Sequence, residues 1–355
     1  MRYLPLFLLL VLACSKAPAP QPAVEPPTTV DLPIALDASE WPAWAATGYP
    51  VFDTTGTAIP DMLAFLRDKG VTHIRLRLWH SPTNPTHGLE EVAQFATAIR
   101  SAGLQVWLTV HYSDTWADPG QQTPPAAWQG LSIEPLVDSV AQYTTEVAQR
   151  IQPDIMQVGN EINQGFLWPL GERDEPANFN RLLQTGCSAI RSASPGTKIM
   201  LHFAGWQGAQ FFFNHRAFID YDLIGLSYYP WWHGDDLDNM RIALRELQSV
   251  GKPIWIAETA YPFTLDWQDT THNAIGLADQ LHPDYPATPA GQAAFWQRLL
   301  TLSANEDLAG IAYWGGLKLA AQPGQTAPGS GWENLAWFDF NHRALPILDV
   351  LQTPE

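Results

Sequence analysis

Cysteine and basic side chains are both scarce in this chain of 355 residues: there are 2 cysteines, and 19 Lys plus Arg against 36 Asp plus Glu. A disulfide framework needs several cysteines within one mature domain. Here one of the two, Cys14, lies in a leader-like N-terminus, and Cys187, alone in an amphipathic stretch, reads as a buried, inert thiol. The formal net charge of −17 argues against nucleic acid as a partner, because phosphate contacts need clustered Lys and Arg; a neutral or basic partner is left open. Beyond the leader no apolar run is long enough to span a bilayer. No Gly-rich dinucleotide fingerprint follows the first strand-like run. His80, His111, His202 and His233 could meet in loops, but there is no His-Glu-x-x-His helix and no His-x-His on the first strand, so catalytic metal is not expected. There is also no internal repeat, and no domain linker after residue 33.

What is present begins with an export signal. Arg2 precedes the apolar stretch Leu4 to Leu12, and Val11-Leu12-Ala13-Cys14 resembles a bacterial lipobox, whose cysteine becomes a lipidated N-terminus. A plain secretory signal that happens to contain Cys is the alternative. Residues 1–13 would then be a lipoprotein signal peptide, and 14–32, rich in Pro, Ala and Thr, a tether to a domain of residues 33–355. Ser15 after Cys14 fits an outer-membrane destination in the cell envelope, with the lipid as the only membrane contact and the domain a monomer.

From residue 33 onward, eight short apolar runs alternate with longer helix-like segments. The runs lie near Pro33 to Asp37, His73 to Leu78, Leu104 to His111, Asp154 to Asn160, Lys198 to Phe203, Asp222 to Tyr228, Pro253 to Glu258 and Gly310 to Trp314. The spacing predicts helices over Pro60 to Lys69, Leu89 to Ala102, Glu134 to Ile151, Pro176 to Ala193, Asp236 to Val250 and Pro289 to Asn305, a poorer one over Gln207 to Phe218, and a last one from Arg343 to Leu351. Eight strands alternating with helices match a single-domain α/β (β/α)8 TIM barrel; a doubly wound sheet is the rival. The loops Ser113 to Leu131 and Pro262 to Ala290 are too long and too rich in Trp, Asp and Pro to be idle connections.

Two of the runs close on glutamate, Glu161 in Gly159-Asn160-Glu161 and Glu258 in Ala257-Glu258-Thr259. A carboxylate at the C-terminal end of a barrel strand points into the mouth where such folds build active sites, and two of them are what glycosidic bond cleavage needs. Each could instead be a solvated loop acid or an ion-pair partner. On strands 4 and 7 they would face each other at the shorter separation of about 5–5.5 Å that goes with retention of configuration. Glu161 would be acid and then base, and Glu258 the nucleophile. Mutual repulsion should keep Glu161 protonated while Glu258 is charged. Asn160 could donate to a sugar 2-hydroxyl or to Glu258, or merely cap a loop. Arg75 and Arg77 share one side of strand 2, so at least one should pair with Glu258, the other forming a structural ion pair low in the barrel. His111, Asp114, Trp116, His202, Tyr228 and Trp314, at the ends of strands 3, 5, 6 and 8, suit a pyranose that stacks its C–H face on aromatic rings and directs its hydroxyls to polar groups. No cofactor is required. Asp266, Asp269 and Asn273 could hold a structural calcium, but they lack EF-hand spacing, and a solvated polar loop is the favoured reading.

The string His111-Tyr112-Ser113-Asp114-Thr115-Trp116-Ala117-Asp118-Pro119-Gly120 resembles the strand 3 motif of the endo-β-1,4-galactanases, family 53 of the glycoside hydrolases. Ile74-Arg75-Leu76-Arg77-Leu78-Trp79, Val158-Gly159-Asn160-Glu161-Ile162, Leu167-Trp168-Pro169, Ser227-Tyr228-Tyr229-Pro230 and Glu258-Thr259-Ala260-Tyr261-Pro262 are similar in the same order. The resemblance implies a clan A barrel, a retaining mechanism with Glu161 as acid/base and Glu258 as nucleophile, and β-1,4-galactan side chains of pectin as substrate. It also implies that Asn160, Arg75 or Arg77, His111, Tyr228 and Trp314 surround the sugar. Two departures stand out: Gly315-Gly316-Leu317 follows Trp314 where an acidic residue and a further Trp are expected, and the strand 7 loop lacks the Asp/Gly-rich calcium segment of some bacterial members. A clan A hydrolase of mannan, xylan or glucan, or a glycan-binding lipoprotein without turnover, are the competing readings.

Overall fold

A computed structural model describes residues 32–322, 324–325 and 329–351. The leader, Cys14 and the tether as far as residue 31 lie outside the described residues, whereas Leu32 is already buried against the core. Eight parallel strands close into a barrel in chain order: β1 (Ile34–Asp37), β2 (His73–Leu78), β3 (Gln105–Val110), β4 (Ile155–Val158), β5 (Lys198–Ala204), β6 (Leu223–Ser227), β7 (Ile254–Thr259) and β8 (Gly310–Tyr313), with β8 pairing back to β1. Each predicted run is a strand, and the helices Met62–Asp68, Leu89–Ser101, Ile133–Ile151, Pro176–Ala193, Ala209–Asn214, Leu237–Gln248 and Pro289–Asn305 lie where their 3.6-residue pattern puts them. The helix Ile133–Ile151 shows the reason: Leu136, Val140, Tyr143, Val147 and Ile151 recur every three or four positions and are all buried.

The helix expected over residues 343–351 does not form. Only a 3₁₀ turn, Pro346–Asp349, is present, because Leu345 precedes proline and is held extended (φ −97°, ψ 160°). Ala344 instead bridges antiparallel to Phe338. Two short helices unseen in the periodicity, Trp41–Ala45 and Pro230–His233, sit in loops at the barrel mouth, each with proline in its first turn.

Alternation along the strands sends one set of side chains inward. Ala35, Trp107, Ile155, Met200, Leu223, Trp255, Ala257 and Ala312 form a separate apolar plug inside the barrel. At its centre Trp107 and Trp255 meet edge to face, with ring centroids 5.3 Å apart, a geometry that contributes about 0.5–1.5 kcal/mol beyond area burial. Gly310 makes room for it, since a Cβ there would lie 2.3 Å from the Trp255 ring. Above the plug, the inward positions become polar.

One irregularity decides what β7 presents. The register runs Leu226 to Ile256 and then Ser227 to Glu258 on one side, and Ile256 to Ile311 and then Thr259 to Tyr313 on the other, so β7 carries an extra residue against both neighbours. Trp255 and Ala257 both belong to the plug, and simple alternation would turn Glu258 outward. The bulge re-aims it into the mouth.

Candidate active site

Glu161 is positioned by a strand that stops early. β4 ends at Val158, Gly159 takes φ +76°, and Glu161 itself lies in the left-handed region (φ 48°, ψ 54°). Such a backbone costs a non-glycine residue about 1–2 kcal/mol. Gly159 has no substitute here, since a Cβ would stand 2.5 Å from Ile162 Cγ2. With these turns Glu161 and Glu258 line the same cavity, of about 700 Å³, together with Asp37, Arg75, Arg77, His111, Trp116, Asp118, Asn160, Tyr229, Trp232, His233, Trp314 and Trp332.

The two carboxylates have different company. Glu258 Oε1 accepts from Arg75 Nη2 at 2.6 Å, and Oε2 accepts from the Tyr229 hydroxyl at 3.3 Å. Arg75 also donates to Asp37 Oδ2 at 3.1 Å through Nη1 and to Asn160 Oδ1 at 3.2 Å through Nη2. Burial lifts the Glu258 carboxyl and the Arg75 guanidinium pulls it back. Among the described residues Glu161 has no direct cationic partner; its Oε1 accepts from Ser227 Oγ at 2.5 Å. Burial and then the charge of Glu258 push Glu161 up to about 8. A proton shared by the pair therefore resides on Glu161, and Glu258 is left ionised against Arg75.

Behind Glu161 stands His202, fully buried: Nε2 is 2.9 Å from Ser227 Oγ, and Nδ1 is 2.8 Å from Gln157 Nε2 and 3.4 Å from the backbone N–H of Glu161. Burial and the nearby Arg75 keep it neutral, well below the usual histidine range. His111 is neutral for the same reasons, with Arg77 the nearer cation, and its Nδ1 accepts from the backbone N–H of Ala117 at 3.0 Å, which leaves the proton on Nε2.

The other side of the cavity is aromatic. Trp116 lies with its ring 3.9 Å from the Arg77 guanidinium carbon, Trp314 packs edge to face on Trp332 at 4.8 Å, and Trp232 stands 6.0 Å from Trp332. Arg77 Nη2 pairs with Glu40 at 2.6 Å, and Lys318 Nζ with the same oxygen at 2.9 Å while lying 4.6 Å from the Trp314 ring. Burial opposes ionisation of Glu40, but Arg77 and Lys318 outweigh it and hold the carboxyl far below its ordinary range.

Of the residues expected at the site, Glu161, Glu258, Asn160, Arg75, Arg77, His111, Trp116 and Trp314 line the cavity, and three do not. Asp114 fastens two loops, accepting from Ser81 N and Ala126 N at 2.9 and 2.8 Å; it lies beyond the end of β3, where strand alternation no longer directs side chains. Tyr228 faces outward, its hydroxyl on the Gly234 carbonyl at 3.1 Å and its ring stacked towards Phe295. Ser227 and Tyr229 occupy the inward positions instead, as the two-residue period from Gly225 on β6 requires. His202 faces inward but touches Ser227 rather than the cavity. Two further expectations change in detail. Arg77 sits at the mouth rather than low in the barrel, and Asn160 donates to the Ala117 carbonyl at 2.9 Å while reaching Glu258 only through Arg75.

Asp37, Asp118, Tyr229, Trp232 and Trp332 also line the cavity without having been singled out in the sequence, and so does His233, which was weighed only as a metal ligand. Strand alternation would have found Asp37 and Tyr229, whereas the others come from loops whose path the pattern does not encode. Trp332 supplies a tryptophan beside Trp314 from 332 − 314 = 18 positions further on. Gly316 follows from packing, since a Cβ there would lie 2.5 Å from Leu36 Cδ1. The calcium candidates are engaged in loop bonds: Asp269 accepts from Thr271 N and Ser330 N, and Asn273 donates to the Asp266 carbonyl. Among the described residues no three His, Cys, Asp or Glu side chains are grouped to hold a metal.

Known proteins resemble this chain in sequence and in fold. The profile of glycosyl hydrolase family 53 matches residues 35–351. An arabinogalactan endo-β-1,4-galactanase of Cellvibrio japonicus is 34% identical over 308 residues, 81% of this chain and 82% of that one. The GH53 catalytic domain of Ignisphaera aggregans superposes with a TM-score of 0.84 at 36% identity, covering 94% of this chain and 98% of its own. A structure from a study of two fungal β-1,4-galactanases gives 0.76 at 27% identity, over 91% and 99%.

Proposed function

The chain belongs to glycosyl hydrolase family 53, and on that premise we propose that it is an arabinogalactan endo-β-1,4-galactanase whose reaction is run by Glu161 and Glu258 with retention of configuration. One observation carries the assignment of roles: two carboxylates share one cavity, but only Glu258 is held by a cation, so the pair is biased towards one acid and one anion.

In the first step a Glu258 oxygen attacks the anomeric carbon, the bond from that carbon to the leaving O4 breaks, and the Glu161 proton passes to O4. Glycosylation removes the Glu258 charge, which lowers the pKa of Glu161 while burial still raises it, and Glu161, its proton given up, is left as a carboxylate. It then takes a proton from water as the water oxygen attacks the same carbon, the ester bond breaks, and Glu258 leaves as the anion. The Arg75 and Tyr229 donors reward the return of that charge. The rings of Trp116, Trp314, Trp232 and Trp332 offer stacking faces for successive galactosyl units.

Digestion of linear galactan, with products sized over time, tests the activity; mannan and xylan are the controls. Cleavage of either control with galactan untouched would replace the substrate. Glu161→Gln or Glu258→Gln should cut turnover by about 10²–10⁴-fold or more while leaving oligosaccharide affinity largely intact. Full activity in both variants would mean that the reaction is run by other residues and that these assignments are wrong. Proton NMR of the first product should show the β-anomer, and an early α-anomer would exclude the covalent route.

The N-terminal pattern supports a further reading, that lipid on Cys14 tethers a monomeric barrel to the outer membrane while the barrel acts on galactan outside the cytoplasm. Metabolic labelling with palmitate should mark the protein and be lost in Cys14→Ala; equal labelling of both would remove the tether.

A further inference from the structure

We propose that His202 and Ser227 form a positioning relay that keeps a hydroxyl donor on one oxygen of Glu161, Oε1, and thereby confines the transferable proton to the other oxygen, Oε2. The proposal rests on Glu161 being the acid/base. It concerns two residues outside the cavity lining that would otherwise count as buried packing.

The direction of each bond follows from its neighbours. The Gln157 side chain is fixed by its own contacts: Nε2 donates to the Gly159 carbonyl at 3.0 Å, and Oε1 accepts from Thr109 Oγ1 at 3.3 Å. Nε2 is therefore the atom presented to His202 Nδ1 at 2.8 Å. The backbone N–H of Glu161, which can only donate, points at the same nitrogen at 3.4 Å. Asn160 Oδ1 also lies 3.2 Å from Nδ1, but it already accepts from Arg75; with one Gln157 hydrogen on the Gly159 carbonyl, the second goes to Nδ1 at 2.8 Å rather than to Asn160 Oδ1 at 3.2 Å. Two donors converge on Nδ1, so that nitrogen is the acceptor and the proton of the neutral ring sits on Nε2.

Nε2–H then donates to Ser227 Oγ at 2.9 Å, which turns the hydroxyl hydrogen away from the ring and towards Glu161 Oε1 at 2.5 Å. A hydroxyl locked as a donor cannot accept a proton from Glu161. Oε1 remains an acceptor through the cycle, and the proton that leaves and returns does so at Oε2. A donor on Oε1 also favours the carboxylate form, countering burial and the charge of Glu258. It keeps the acid strong enough to give up its proton in the first step. The β6 position of Ser227, opposite Glu258 in register, is what brings this hydroxyl across the barrel to Glu161.

The charged and titratable groups around Glu161 are Glu258 from β7, Asp118 from the loop after β3, Arg75 from β2 and Tyr229 after β6; those around His202 are Arg75, His111 and His233. Ser227→Ala and Ser227→Cys leave all of these in place. The cysteine retains a group of similar shape with only weak donor strength, and it carries the test should the alanine variant fold poorly.

The readout is the basic limb of kcat/KM on galacto-oligosaccharide, which reports the free enzyme's acid. Both Ser227 variants should move it upward by about one pH unit or more, since a hydrogen bond to a carboxylate has been removed. An unmoved limb with a uniform loss of rate would mean that Ser227 only packs, and a downward shift would mean that the hydroxyl stabilises the protonated form; either overturns the relay. A Glu161→Gln arm separates failure of the premise: a basic limb that survives there unchanged would show that Glu161 is not the acid, whatever Ser227 does.

Discussion

Removing the guanidinium of Arg75 should disarm Glu258 in a way that pH can partly reverse. Arg75 is almost fully buried and contacts two carboxylates, Glu258 at 2.6 Å and Asp37 at 3.1 Å. In Arg75→Met those carboxylates face each other without it, and the nearest replacement, Arg77, is already paired with Glu40 at 2.6 Å. An opposite charge at this range lowers a carboxyl by about 1–3 pH units; with it gone, burial raises Glu258 unopposed. The acid limb of kcat/KM should therefore move up by about 1–3 units. Between the old and new limbs the variant should be slower by about 10- to 1000-fold, recovering part of that loss above the new limb. The fold responds with the same sign. A carboxyl raised in the folded state contributes stability that is present below its ordinary value and lost as pH rises through the raised one. Arg75→Met should melt below the wild type at pH 7 by the equivalent of about 3–5 kcal/mol, and the gap should narrow towards pH 4. Rates over pH 4–9 on a soluble galacto-oligosaccharide, with melting curves at each pH, measure both. An acid limb that stays in place while the rate falls equally at every pH would refute the idea that Arg75 keeps the nucleophile ionised.

The raised pKa of Glu161, about 8 against an ordinary 4.5, works against folding in the window between those values. Glu161→Gln should thus be more stable than the wild type at pH 7.5, on the order of 1–3 kcal/mol after discounting for partial exposure. The two should melt alike near pH 4; equal melting at both pH values would show that Glu161 is not perturbed. The neighbouring tyrosines offer a paired comparison, since Tyr229 donates to Glu258 and Tyr228 to the Gly234 carbonyl on the far side of the strand. Tyr229→Phe should lower kcat by about tenfold, the worth of one hydrogen bond to a charge, and Tyr228→Phe should leave kcat unchanged with a small drop in melting temperature. The opposite ranking would reverse the orientation of β6.

Much of this molecule could be read directly from residue order. The eight apolar runs and the helical periods between them define the barrel, because each strand must bury both faces and each helix one. Both glutamates were legible as strand-end acids, and Arg75 as an inward cation needing a carboxylate. Tyr229 and Ser227 were also legible in principle, by counting from Gly225, and only that count separates them from Tyr228. Asp114 illustrates the converse: it accepts from the backbone of two loops, and composition cannot distinguish such a polar loop residue from one that lines the cavity.

Tertiary structure decided the rest. The extra residue in β7 turns Glu258 inward against its own alternation, and the left-handed turn at Glu161 lifts its carboxylate over the same cavity. The pairing of Arg75 with both Asp37 and Glu258, the Ser227 hydroxyl on Glu161 and the ring of Trp332 beside Trp314 join residues far apart in the chain. Local sequence sets local periodicity and therefore strands and helices. Which side chains share a proton or a cation depends on distances across a closed barrel, and those exist only once it has closed.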